Sequence, residues 1–319
     1  MSAPVVVAEI VRSGFVEGHH YGSVVALDSD GEVSWSVGEV GEPILPRSCN
    51  KPIQALALVR LGLDLPRELL ALACASHSGE QFHIEGVRRI LATVGLDESA
   101  LQTPPGYPLD EDAAEAVVRE GGGKAPILMN CSGKHAAMLA TCAVNGWDTA
   151  TYLDPAHPVQ LAVTDTFAEY TGEAVDTVAV DGCGAPLLPA SLVALARAFR
   201  RIALGGDPAD RAIAEAIRSH PEYVSGTNRD ERVLLDAIPG SIGKAGAESC
   251  YAVALPDGRA FALKCDDGAA RVRPALMAAA LRRSGVDKEP GVDTETVRRT
   301  GVVELLGGGR TVGEIRACF

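Results

Sequence analysis

The sequence predicts an α+β fold whose sheet takes strands from both ends of the chain and whose middle is helical. Three observations carry that expectation. Residues 4–11 and 21–37 are rich in valine with rough alternation, and Asp28-Ser29-Asp30-Gly31 lies within the second stretch as a hairpin turn. From about 67 to 170 the apolar residues recur at spacings of three and four, interrupted by Gly, Pro and Asp clusters such as TPPGYPLDED. Toward the other end, SCYAVALPDGRAFALKCDDG reads as two strands joined by Pro256-Asp257-Gly258.

After Pro46, the segment SCNKPIQALALVRLGL has helical spacing and is entered near Ser48, with Pro52 tolerated in the first turn, where its missing N–H has no intrahelical acceptor. A strand-to-helix corner therefore carries Ser48 and Lys51. Helices follow at 67–75, 83–94, 112–119, 135–145 and 157–170. A short valine run at 177–180 ends in Asp181-Gly182-Cys183-Gly184-Ala185-Pro186, a tight bend ahead of a helix at 188–200. RVRPALMAAALRRSG forms a packed helix, and the strand before it delivers Lys264 to a Gly-containing loop. No fixed-period repeat or low-complexity linker divides the chain, so residues 1–319 are expected to form a single domain of one or two lobes.

With 47% hydrophobic and 22% charged residues, the chain suits one large core. Its net charge of -13 repels phosphate backbones and acidic lipid surfaces, which argues against nucleic acid or membrane partners. The opening residues lack a basic n-region, Glu9 and Arg12 break their apolar stretch, and other apolar runs stop short of the ~18 residues of a membrane span. A cytoplasmic location is expected. The eight cysteines, with no CxxC or HxxxH spacing, are then expected to be reduced and mostly core residues.

Several short patterns carry polar chemistry. Ser48-Cys49-Asn50-Lys51 is an S-x-x-K at a helix start. One helical turn puts Oγ and Nζ on the same side, so a lysine base can activate the hydroxyl, although a serine there equally suits an N-cap. In Cys74-Ala75-Ser76-His77-Ser78-Gly79-Glu80, Ser78 suits a nucleophile or an oxyanion donor, or else a cap for the next helix. Met129 to His135 gathers thiol, hydroxyl, amine and imidazole at a helix N-terminus, which favours Cys131 as a ligand or reactive group; the alternative is a turn with solvated Lys134 and His135. Cys183 lies among small residues. Lys264 lies in an apolar strand, where desolvation supplies a neutral base unless the amine snorkels to water.

Together, PRSCNKPIQ, CASHSGE, MNCSGKHAAML, DGCGAP, KAGAE and ALKCDDGA occur in an order and at separations that resemble the class 3 L-asparaginases, the asparaginase II or rhizobial-type family, over nearly the whole chain. The resemblance implies a fold like that of serine β-lactamases and glutaminases, and hydrolysis of L-asparagine to aspartate and ammonia by a homodimer. It implies two catalytic pairs, Ser48 with Lys51 and Ser78 with Lys264. It also implies one zinc ion per subunit on Cys131, Lys134 and Cys183; because two thiolates would already offset much of its charge, the ion is expected to orient substrate rather than to activate water. Arg47, His135 and Asp181 fall inside the matching blocks and are candidates for holding the substrate α-carboxylate and α-amino group. Alternatives are a glutaminase or β-lactam-reactive serine-lysine hydrolase, and a non-catalytic zinc or amino-acid sensor. The missing K-T-G triad weakens the β-lactam version, which Lys244-Ala245-Gly246 only echoes.

Overall fold

The computed structural model describes residues 4–319. The chain divides into two compact units, one formed by the chain up to Cys49 with Ala190–Leu204 and Val233–Phe319, the other by Asn50–Pro189 and Gly205–Arg232. The strands are β1 (Val6–Arg12), β2 (Phe15–Leu27), β3 (Val33–Val37), β4 (Ala179–Val180), β5 (Pro186–Leu187), β6 (Ile242–Gly246), β7 (Cys250–Ala254), β8 (Ala260–Cys265), β9 (Val303–Gly307) and β10 (Arg310–Ala317). All but β4 and β5 form one antiparallel sheet in the first unit, in the order β6-β7-β8-β2-β1-β10-β9, with β3 also paired to β2. As expected, its strands come from both ends of the chain, and the fold is α+β.

The sheet is covered by helices. Leu192–Leu204 and Arg273–Arg283 both pack on β7 and β8. Tyr251, Val253, Phe261, Leu263 and Cys265 share a core with Leu276, Met277, Ala280 and Leu281 of the second helix, which leaves the alternate residues of β8, Lys264 among them, on the opposite face. With both faces covered, β7 is buried along its whole length, so its sequence reads as an apolar run instead of an alternation.

The turns show where sequence reasoning succeeds. Asp28 Oδ1 accepts from the N–H of Asp30 and Glu32 and Gly31 takes φ 89°, which closes the predicted hairpin. The stretch before it differs from expectation. Strand β2 begins at Phe15, and its first half, FVEGHHYG, is largely exposed and shows no apolar alternation. Ser13 and Gly14, both left-handed, turn β1 into β2, and Gly308 and Gly309 do the same between β9 and β10, a hairpin that the sequence pattern does not reveal.

The second unit is mainly helical. Lys51–Arg60, Arg67–Ala73, Gln81–Ala92, Ser132–Val144 and Pro158–Thr171 match the predicted helices within a few residues. The sequence expectations do not include Pro208–Ser219, an amphipathic helix that opens with an Asp207/Asp210 capping box. The helix Ser132–Val144 is buried on every side from Ser132 to Cys142, and Lys51–Arg60, Arg67–Ala73, Gln81–Ala92 and Pro158–Thr171 pack around it. Among the described residues no helix is long and apolar enough to cross a membrane.

Gly133 lets that central helix start against its neighbour, since a Cβ there would lie 2.6 Å from the Leu72 carbonyl oxygen. Gly133→Ala is expected to destabilise the protein by about 1–3 kcal/mol through overpacking. Thermal unfolding checks this, because an unchanged Tm would mean that the two backbones separate at no cost.

Candidate functional site

The second unit concentrates buried polar chemistry around the start of its central helix. Lys51, 1% exposed in the first turn of Lys51–Arg60, directs Nζ to the Ala75 carbonyl oxygen at 2.5 Å, Ser76 Oγ at 3.0 Å and Cys131 Sγ at 3.0 Å. Ser76 and Ser78 belong to an extended segment whose N–H groups at Ser76, His77 and Ser78 donate to the carbonyls of Val224, Asn130 and Ser225. Backbone pairing on both sides thus fixes the segment beneath the Lys51 amine. Ser78 borders a second feature, a cavity of about 320 Å³ lined also by Asp110, Asp112, Asn228 and Arg229. A Cβ at Gly226 would lie 2.1 Å from Ser78 Oγ, so only glycine fits over that hydroxyl, and Thr227 is tied to Glu80 through its N–H and hydroxyl.

One turn along the central helix from Cys131, Lys134 places Nζ 3.2 Å from Cys183 Sγ. Cys183 sits in the tight turn between β4 and β5, closed by the Gly184 N–H donating to the Asp181 carbonyl with Gly184 at φ 88°. Asp181 Oδ2 lies 3.7 Å from the same sulfur, and His135, alongside, shares its Nδ1 with the Tyr152 hydroxyl at 2.6 Å. The charges sort themselves by contact. A hydrogen bond from Cys131, then the Lys134 charge and the His135 ring, hold Cys183 well below the ordinary thiol value of 9.0 against the cost of burial. Cys131 moves the other way, raised by that same bond and by burial. Burial pushes Lys134 down, but Cys183, Cys131 and Asp181 together outweigh it and the amine ends raised. The neighbours of Cys183 and Lys134 thus favour the charged form of each, while Cys131 is pushed toward its neutral form.

In the first unit, Ser48 lies in the 3-10 turn Arg47–Asn50, and Arg47 adopts φ 53°, a left-handed value shared by Glu248 and Ser249. Arg47 pairs with Glu248 at 3.6 Å. Such a group of non-glycine residues at positive φ stores backbone strain. Lys264 directs Nζ to the carbonyls of Glu248 at 2.6 Å and Cys265 at 2.7 Å, and lines a cavity of about 710 Å³ with Gly22, Ser23, Glu42, Ile44 and Asp266. On the opposite face of β8, His20, Cys265 and Asp267 bring donor atoms within 4.8 Å of one another, a group able to hold a metal ion.

The L-asparaginase II family model matches residues 8–317. The chain belongs to the L-asparaginase II family. Membership makes it an amidohydrolase. Among solved structures, a β-lactamase from Mycobacterium bovis aligns with 82% of this chain and 94% of its own, at 16% identity and a TM-score of 0.46. EstCE1, a hydrolase with promiscuous acyltransferase activity, aligns with 88% of this chain and 93% of its own, at 11% identity and a TM-score of 0.41. No curated protein matches.

For this family member, Lys51, Cys131, Lys134, His135, Asp181 and Cys183 gather in the second unit, Ser78 borders its own cavity there, and Arg47, Ser48 and Lys264 belong to the first. Sequence reasoning passes over Ser76, the serine that Lys51 touches, because two serines flank His77 and either suits a polar loop. The available signal was parity: in an extended segment Ser76 and Ser78 share one side while His77 takes the other.

His77 does turn away. Its Nε2 lies 2.8 Å from Ser132 Oγ, which itself donates to the Ile127 carbonyl, so the ring is the donor, and His83 stacks on it and donates to the Glu222 carbonyl. Burial first, then the charges of His83 and Lys51, lower His77 well below its ordinary 6.5, and burial takes His83 to about 4. Both rings are neutral in the folded protein at neutral pH, whereas the unfolded chain takes up their protons as pH falls through 6.5. Stability is therefore full above 6.5 and is lost as pH drops from 6.5 toward 4, at up to ~1.4 kcal/mol per pH unit for each histidine. Urea unfolding at a series of pH values, with His83→Gln beside the wild type, tests this: the variant is expected to lose about one proton's worth of slope. An identical slope would mean that His83 is charged in the fold.

Proposed function

We propose that this family member hydrolyses L-asparagine to L-aspartate and ammonia by serine-lysine acyl transfer. The observation that carries the reading is the buried Lys51 amine 3.0 Å from a serine hydroxyl, Ser76, in a chain matched along its length by the L-asparaginase II family. Lys51 removes a serine proton, Oγ bonds to the side-chain amide carbon, and the carbon–nitrogen bond breaks as the nitrogen takes up the proton and leaves as ammonia. Water then hydrolyses the aspartyl ester, releasing aspartate and restoring the serine.

Ser48, three residues before Lys51, is proposed as the acylated serine, in line with the family resemblance, and Ser76 as the hydroxyl through which Lys51 exchanges protons. Ser78 with Lys264 forms the second proposed pair. Arg47, His135 and Asp181 are proposed to hold the α-carboxylate and α-amino group. A homodimer in the cytoplasm completes the reading, and the eight free cysteines suit a reducing compartment.

Zinc fits the second unit. Cys131, Lys134 and Cys183 are all buried, the two cysteines pack in one cluster, and the amine is 3.2 Å from Cys183 Sγ, so three donors lie close together. Two thiols and an amine form a donor set that a borderline-soft cation takes up on deprotonation. When bound there, zinc supplies positive charge beside the Lys51 cluster. The protein's own contribution is to hold the serine segment and the amine in register through the backbone pairing of residues 76–78.

Ammonia release from L-asparagine and L-glutamine, measured on zinc-loaded protein, tests the reading. Release selective for asparagine is expected, with Lys51→Met and Ser48→Ala each lowering kcat by roughly 100- to 10,000-fold. Ser76→Ala is expected to lower kcat with a shifted pH profile. Release from neither amide, or full activity in Lys51→Met, would sink it.

A further inference from the structure

Strands β2 and β8 pair antiparallel with Gly22 opposite Cys265, and the ladder's continuation has the Asp266 N–H donating to the Tyr21 carbonyl. In that register His20 on one strand and Cys265 and Asp267 on the other project from the same face. Gly22 occupies the one position between them that would otherwise carry a side chain, and a Cβ there would lie 2.3 Å from the Lys264 carbonyl oxygen. The outcome is a convergence of unlike donors. His20 Nδ1 is 2.6 Å from Asp267 Oδ2, Cys265 Sγ is 3.0 Å from Asp267 Oδ1 and 3.3 Å from the Tyr21 carbonyl oxygen, and the three donor atoms lie within 4.8 Å of one another.

The burial of the three is uneven. Cys265 is fully buried and His20 is 3% exposed, with its Nε2 unpartnered among the described residues, while the Asp267 side chain is 46% exposed. The carboxylate therefore stands at the mouth of a site whose nitrogen and sulfur donors form the floor. We propose that His20, Cys265 and Asp267 form a second metal site, for a divalent cation of the zinc class, that clips β2 to the end of β8. Imidazole and thiolate exclude calcium and magnesium, which take oxygen ligands, and favour zinc or cobalt. Three protein ligands and the open side at Asp267 leave the fourth position to water.

The site's place gives it a role. Lys264 and Asp266 alternate with the ligands Cys265 and Asp267 and line the cavity of about 710 Å³ on the other face of the strand. A metal on one face thus fixes the backbone that aims Lys264 into that cavity, and His20, Cys265 and Asp267 are positioning residues for it.

Metal binding here shares no ligand with the zinc cluster of the second unit and does not depend on the asparaginase reading; only the role of aiming Lys264 rests on that reading. It is tested with Co²⁺ and Zn²⁺ on the full-length protein, using bound metal per chain by elemental analysis and the thiolate-to-cobalt charge-transfer band. In a Cys131→Ser/Cys183→Ser variant, one equivalent of metal and the charge-transfer band are expected to persist. Adding Cys265→Ser should abolish the band, and adding His20→Ala or Asp267→Asn should weaken affinity at least about tenfold, with far-UV circular dichroism unchanged. No metal in the double-serine variant, or metal and a band indifferent to Cys265→Ser and His20→Ala, would overturn the proposal. If the double-serine variant does not fold, the same substitutions in the wild-type chain decide it: the loss of one equivalent upholds the site, and no loss refutes it.

Discussion

Buried lysine amines are the constraint around which the second unit is arranged. An amine removed from water needs polar partners or it destabilises the fold by several kcal/mol. Lys51 finds a carbonyl, a hydroxyl and a sulfur within 3.0 Å, and Lys134 finds the Cys183 sulfur. Those partners come from three separate stretches of chain, namely residues 75–76, the start of the central helix and the turn between β4 and β5. The central helix must therefore begin where it does, and Gly133 is what lets it begin so close to Leu72. Satisfying two lysines and assembling a reactive cluster are one structural event.

The first unit meets a different demand. An eight-stranded sheet with helices on both faces leaves little room for polar groups inside it, so its chemistry appears where the strands end. Lys264 sits one residue before the end of β8, with Cys265 and Asp267 turned to the opposite face, and the left-handed residues Arg47, Glu248 and Ser249 lie at loop positions beside the sheet. The two-residue period of a strand does the sorting: adjacent residues of CDD serve opposite faces, one toward a cavity and the other toward the core side.

Protonation links these arrangements to conditions. Cys183 and Lys134 stabilise one another's charged forms, whereas burial holds His77 and His83 below the ordinary imidazole value, each ring donating one N–H to a neighbouring oxygen. The same unit thus contains groups that favour charge and groups that resist it. Contact with a partner, more than depth of burial, separates the two behaviours.

By itself the sequence determined the α+β class, most of the helices and the Asp28 turn, since these rest on periodicity and turn chemistry that are local in the chain; the grouping of Cys131, Lys134 and Cys183 came from the family resemblance. It did not determine the strand from Phe15, whose exposed half carries no apolar pattern, or the β9–β10 hairpin, whose Gly-Gly turn joins strands that are mostly exposed. Nor did it choose between Ser76 and Ser78 as the neighbour of Lys51, or join His20 to Cys265 and Asp267. Only the tertiary structure decided those, because each depends on which distant segments pair: residues 76–78 with 130 and 224–225, and β2 with β8. Strand register brings residues together across hundreds of positions, and a period-two pattern in one strand carries no record of its partner.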